Sequence, residues 1–287
     1  MMKLERPRLL WARRLVLALA GLACGAGPAL AAAPGASAPA AAEVTLHADW
    51  AVRLEADGQG SDARGAQLLV LLGALGGTDG IGQAQDAVTL PADGDGPYRV
   101  DSTLTPRGAL AVLLRRLHWV RSASGRMADG QADLLTASSQ RGDAAPMTAR
   151  VSGGRLALRD GNQPVHDKPA PDGLLDPLSL GWGYLLRPLP TQPFTLPLLI
   201  NDGVQTADVV PRAATLQWQG QPVACVLLDA RSNDSSAKLR IWLRKSDGLP
   251  LQIELGMGER YGLNVVQTLA RVPDGLAELH VGRIAAR

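Results

Sequence analysis

The sequence predicts a mainly β protein: an antiparallel sheet forming a sandwich or an open or half barrel, with one short helix near 177–186. Three observations lead there. Apolar and polar residues alternate with a period of two in many short segments. Clusters of Gly, Asp, Ser and Pro separate those segments at intervals of roughly 8–14 residues, the spacing of all-β folds. Only at Asp176-Pro177 does a helix-start pattern appear, with an N-capping carboxylate followed by proline at the first helical position.

The first 31 residues read as a secretory signal peptide. Lys3, Arg6, Arg8, Arg13 and Arg14 precede the apolar run 15–23, and small residues surround Ala29-Leu30-Ala31. A membrane-spanning helix needs about 20 apolar residues, more than this run supplies. Two alternatives attach to the leader: Arg13-Arg14 as a twin-arginine export signal, and Cys24 as an acylated lipoprotein cysteine. The Ala/Pro/Gly stretch 32–43 reads as a flexible spacer, and 44–287 as a single β-rich domain without a transmembrane helix.

Along that domain, Trp50, Val52 and Leu54 alternate with polar neighbours as in a strand, and 67–75 is apolar enough for a buried strand. Asp93-Gly94-Asp95-Gly96-Pro97 is a turn leading into an alternating strand at 98–104. Residues 109–121 fit a helix or a strand equally well, 154–159 is a strand, and 163–173 reads as a loop. The last third carries six strand patterns, at 213–219, 223–230, 238–244, 251–255, 263–269 and 277–284. In 238–244, Leu239, Ile241 and Leu243 face one way and charged residues the other; Leu251, Ile253 and Leu255 repeat the pattern. Ser246-Asp247-Gly248 between them predicts an antiparallel hairpin with one buried and one wet face.

The hairpin Ile241-Trp242-Leu243-Arg244-Lys245-Ser246-Asp247-Gly248-Leu249-Pro250-Leu251-Gln252-Ile253 resembles a bacterial exported family, domain of unknown function 3108. Asp176-Pro177-Leu178-Ser179 is similar to that family's Asp-x-Leu-Ser segment, and Tyr98-Arg99-Val100 with Gly108 to its early strands. The resemblance covers about residues 44–270. It implies a periplasmic, β-rich protein and favours strand at 109–117; it implies no reaction and no catalytic residues. Leu251-Gln252 stands where Val-Arg is usual, and Phe and Tyr are few.

Composition excludes several classes. With 46% apolar and 20% charged residues the chain is not disordered. The formal charge of +2 divides into a basic leader and a remainder holding 24 basic and 26 acidic residues, which argues against nucleic acid as a partner. Past the leader, Cys225 is the single cysteine, set in an apolar run where a buried inert thiol is expected. His47, His118, His166 and His280 have no partners at metal-ligand spacing, so neither metal nor cofactor is expected. Asp93 and Asp95 are too few for a calcium loop, and Gly58, Gly60 and Gly65 miss the dinucleotide spacing.

The usual catalytic constellations are missing: there is no Gly-x-Ser-x-Gly elbow and no phosphate loop. Ser179 is explained by capping beside Asp176. Arg115-Arg116-Leu117-His118-Trp119 reads as a solvated strand face with arginine stems over the tryptophan. Trp50, Trp119, Trp182, Trp218 and Trp242 are spaced about one per element, as packing residues or, if they converge, as the lining of a lipid-facing concavity. The expectation is therefore a non-catalytic, exported cell-envelope protein of a Gram-negative bacterium, binding an apolar ligand such as a lipid or an envelope component. The alternatives are a scaffold that pairs an envelope protein along an exposed sheet edge and, third, an envelope hydrolase.

Overall fold

The computed structural model describes residues 42–56, 80–107, 118–128, 131–200, 203–233, 238–256 and 262–279. The leader, the strand expected at 67–75 and the ambiguous stretch 109–117 lie outside these. Ala41–Arg287 forms one compact unit.

Fourteen strands make a single antiparallel sheet. The first eight are β1 (Glu43–Ala56), β2 (Gly82–Pro91), β3 (Gly96–Pro106), β4 (Trp119–Ala128), β5 (Gln131–Arg141), β6 (Met147–Ser152), β7 (Arg155–Asp160) and β8 (Gln163–Pro169). A helix α1 (Pro177–Trp182) and a 3-10 turn (Gly183–Leu185) follow. The remaining strands are β9 (Phe194–Ile200), β10 (Gly203–Trp218), β11 (Gln221–Ser232), β12 (Lys238–Arg244), β13 (Pro250–Gly256) and β14 (Leu263–Leu269). Within β1–β8 and within β9–β14 each strand pairs with its chain neighbours, and β1 pairs with β14, so the two meanders meet in mid-sheet and leave β8 and β9 as edges. Glu43, the last residue of the expected spacer, is the first residue of β1, and 32–41 lie outside the described residues.

A sheet of this width curls, because each twisted strand rotates against the next. The curl is tied by the chain between β8 and α1. Leu134 N, on β5, donates to Leu174 O, while Leu175 exchanges hydrogen bonds with β9 through Leu175 N to Pro197 O and Leu199 N to Leu175 O. One segment thus holds together strands at positions four and fourteen of the sheet order. The sheet is not closed into a barrel, and α1 packs on its apolar face. Helix residues Leu178, Leu180, Trp182 and Leu185 pack into the same apolar core as Leu46, Trp50, Val88 and Val100 of the first meander and Leu228, Ile241 and Leu251 of the second.

The β12–β13 hairpin forms as its alternation predicts, with Leu239, Ile241, Leu243 and Leu251 buried. Gly248, at φ 79°, closes the turn, and Arg244 pairs with Asp247 at 2.5 Å. The outward face is not fully wet: Gln252 is buried between Trp242 and Thr268 of the flanking strands. Asp247→Ala removes both that ion pair and the acceptor for Leu249 N. An expected loss of about 1 kcal/mol, read from urea unfolding, follows.

Two expectations are corrected. Residues 163–169 are the edge strand β8 rather than part of a loop. Pro164 and Pro169 disguise it, yet an edge strand tolerates prolines because one row of its N–H groups needs no partner. The strand expected at 277–284 is instead a helical turn over 276–279, where Glu278 N and Leu279 N both donate to Gly275 O. The three-residue spacing of Leu276 and Leu279 buries both on one side, which a strand would not do. Residues 280–287 lie outside the described chain.

Candidate functional site

The inward positions of β1 to β4 are apolar except along one line. Register places Ala48, Asp86, Ser102, Arg121 and Ser139 side by side on neighbouring strands β1 to β5, all on one face. Asp86 and Ser102 are buried and Arg121 is half-buried. A polar line across the buried face of a sheet costs stability unless its members satisfy one another.

Asp86 Oδ2 accepts from Trp50 Nε1 at 2.9 Å and from Trp182 Nε1 at 3.2 Å. The two indoles meet edge to face, 5.9 Å between centroids and 74° between planes. One carboxylate therefore fixes α1 to β1, while Asp86 Oδ1 is buried without a hydrogen-bond partner. Burial pushes the Asp86 carboxyl above its ordinary range; Ser102, the Arg121 charge and the two indoles pull the other way.

Asp176 caps α1 as the sequence predicts. Its Oδ1 accepts from Leu178 N at 2.8 Å and Ser179 N at 3.3 Å, and the Ser179 hydroxyl donates to Oδ2. Both residues are buried, and burial raises the Asp176 carboxyl against the pull of these bonds and of Arg121. Burial, with the nearby Asp176 charge, also drives the Tyr98 phenol far up.

Arg121 is the cation of the cluster. Its Nη2 donates to Ser102 Oγ at 3.2 Å, and its Nε is buried without a partner. No carboxylate lies within ion-pair distance of Arg121 among the described residues, although Asp86 and Asp176 hold its charge from further away. Its guanidinium carbon sits 4.2 Å from the centroid of Trp119, and that of Arg141 sits 4.3 Å from the same ring. The Trp119 indole donates to Ser139 Oγ at 2.7 Å. Among the described residues the arginines over Trp119 are Arg121 and Arg141; Arg115 and Arg116 lie outside them.

Beside this cluster opens a cavity of about 100 Å³. Its polar end is Trp119, Arg121, Ser139 and Asp176; its apolar walls include Met147, Ala149, Leu158, Leu178, Leu199 and Ile200. The cavity lies where β4 to β7, the start of α1 and β9 converge, so it exists only because the sheet curls. For scale, an engineered cavity of roughly 150 Å³ lined by aliphatic residues stays dry and takes up benzene.

Other singled-out residues lie elsewhere. Cys225 is buried, its thiol pushed up by that burial and donating to Val223 O. Asp93 to Gly96 forms the β2–β3 turn, with Gly94 and Gly96 at positive φ. His47 is exposed on β1 and His118 precedes β4; the His166 side chain and His280 are outside the description. Among the described residues no group of three metal-ligating side chains occurs, and no helix is long and apolar enough to cross a membrane. Trp218 donates to Leu269 O at 2.6 Å, a packing role. The sequence reading missed Asp86, Ser102 and Arg121, although each is a polar residue at an inward position of a strand. The signal lay in the β2 alternation, where Ala84, Val88 and Leu90 share a face with Asp86.

No family profile matches the chain, and neither a curated protein nor a solved structure matches it.

Proposed function

We propose that the protein is a non-catalytic binding protein of the cell envelope, exported by its N-terminal leader, which takes the apolar part of a small ligand into the cavity between β4–β7, α1 and β9. The cavity itself carries this reading: an apolar chamber with a few convergent polar groups is the usual form of a small-molecule site. Binding rather than chemistry is supported by the commitments of the polar groups. The Ser179 hydroxyl donates its hydrogen bond to Asp176, and the Asp176 oxygens are taken up by α1.

Benzene, a neutral apolar probe, tests the reading. Methyl signals of Leu158, Leu178, Leu199 and Ile200 are expected to shift saturably as benzene is added. Ala149→Leu puts an isobutyl group into the chamber from β6. It is expected to abolish those shifts while leaving the melting temperature unchanged or higher, because filling a void adds contacts. Absence of saturable shifts in the wild-type protein refutes the proposal.

A further inference from the structure

We infer that the ligand of this cavity is an amphipathic anion, an apolar group bearing a carboxylate, whose head is bound by Arg121 and Arg141 beside Trp119. The inference rests on the binding role proposed above and adds the charge and chemical class of the ligand.

Arg121 and Arg141 share one aromatic ring. Both guanidiniums lie over a single indole, at 4.2 and 4.3 Å from its centroid. Burial pushes the Arg121 guanidinium down, Asp86 and Asp176 pull it up from a distance, and Arg141 pushes it down again; burial lowers Arg141 as well. Cation–π attraction to one ring is the contact that the two guanidiniums share. Among the described residues neither arginine has a carboxylate within 4 Å, whereas Arg99, Arg155, Arg231 and Arg244 each do. Asp176, the acid on the cavity wall, has both oxygens engaged by α1, and Asp86 turns one oxygen to two indoles.

Position supplies the rest. Trp119 and Arg141 face each other across the β4–β5 pair, and Arg121 faces Ser139, so the four side chains form one square on one face of the sheet. Trp119, Arg121 and Ser139 line the cavity's polar end, and its other end is Met147, Leu158, Leu178 and Leu199. A ligand with its apolar part among those aliphatic side chains brings its head to the square. A carboxylate there accepts charge-assisted hydrogen bonds from guanidinium N–H groups, including the unpartnered Arg121 Nε, and supplies the counter-charge that neither arginine has within ion-pair distance among the described residues. The fork of a guanidinium matches the two oxygens of a carboxylate, and partial desolvation strengthens the contact. A cationic head meets repulsion, and a hydroxyl head leaves the charges unrelieved.

Octanoate, octanol and octylamine, which share a chain and differ in the head, provide the test. Trp119 reports on the head, and the Trp119→Phe variant identifies its share of the fluorescence. Octanoate is expected to change the emission saturably, at least tenfold more tightly than octanol, with affinity falling as salt rises; octylamine is expected not to bind. Arg141→Gln, at an exposed position, is expected to weaken octanoate about tenfold and leave octanol unaltered, with an unchanged melting temperature. If octanoate and octanol bind equally, or Arg141→Gln leaves octanoate unaltered, the anionic class is overturned while the apolar chamber stands on the benzene result. If octylamine binds as tightly as octanoate, the class is likewise overturned. If none of the three binds and benzene does not either, both readings fall together.

Discussion

Gly125→Ala is expected to destabilise the protein by about 3 kcal/mol or more, enough to unfold a marginal domain. Gly125 sits on β4 at the bulge where Leu135 of the partner strand is squeezed outward and exposed. A Cβ there would lie 1.9 Å from Asp133 O and 2.7 Å from the ring of Tyr98, which covers the glycine from β3. Backbone on one side and a buried ring on the other leave the methyl no route of escape. The same bulge is next to Leu134, whose N–H ties β5 to Leu174, so the damage reaches the segment that holds the curl. Gly203→Ala on β10 is the control: nothing lies within 4 Å of its Cβ, and its stability is expected to match the wild type. Thermal unfolding of the two variants checks the contrast, and equal melting temperatures would contradict it.

Asp86→Ala is expected to cost about 3 kcal/mol, because it strands two buried indole N–H groups at once. Asp86→Asn keeps an acceptor for the indoles and is expected to cost about 1 kcal/mol or less near neutral pH. The same carboxyl predicts a pH dependence. Its folded pKa lies above the unfolded value, so the folded state holds the proton more tightly. The stability that this group contributes is therefore full below the unfolded pKa of about 4 and is lost as pH rises through the folded value. Asp176 shifts in the same direction and adds to the slope, while Arg121, facing both, reduces it. Urea unfolding from pH 4 to 8 is expected to show that declining component in the wild type and a smaller one in Asp86→Asn. An unchanged slope in the variant would show that Asp86 is ionised throughout.

The fold was legible where alternation was strong and turns were sharp. Leu239, Ile241 and Leu243 against their charged neighbours defined β12 to the residue, and Asp176-Pro177 marked the helix start. It was obscured where local chemistry served an unusual position. The prolines of β8 are acceptable only at an edge, and being an edge is a property of the whole sheet. Leu276 and Leu279 pack as a helical turn because Gly275, at φ 87°, brings the chain against Thr45 of β1, a contact 230 residues distant in sequence. The site was less legible still. Asp86, Ser102 and Arg121 are unremarkable one at a time and become a cluster only through the registers of β2, β3 and β4. Trp119 stood out beside Arg115 and Arg116, which lie outside the described residues; Arg121 and Arg141, which sit over its ring, come from two residues further along its own strand and from β5. The cavity has no sequence signature, since it depends on how far a fourteen-stranded sheet curls before one segment ties it.

The central claim is that the chamber beside Arg121 is a ligand site. Native mass spectrometry addresses it most directly, on the full-length protein purified without detergent. The account predicts a small-molecule adduct that organic extraction removes, that lowers the melting temperature when lost, and that Ala149→Leu protein never carries. A bare polypeptide mass, with a melting temperature indifferent to extraction and to added octanoate, would contradict it.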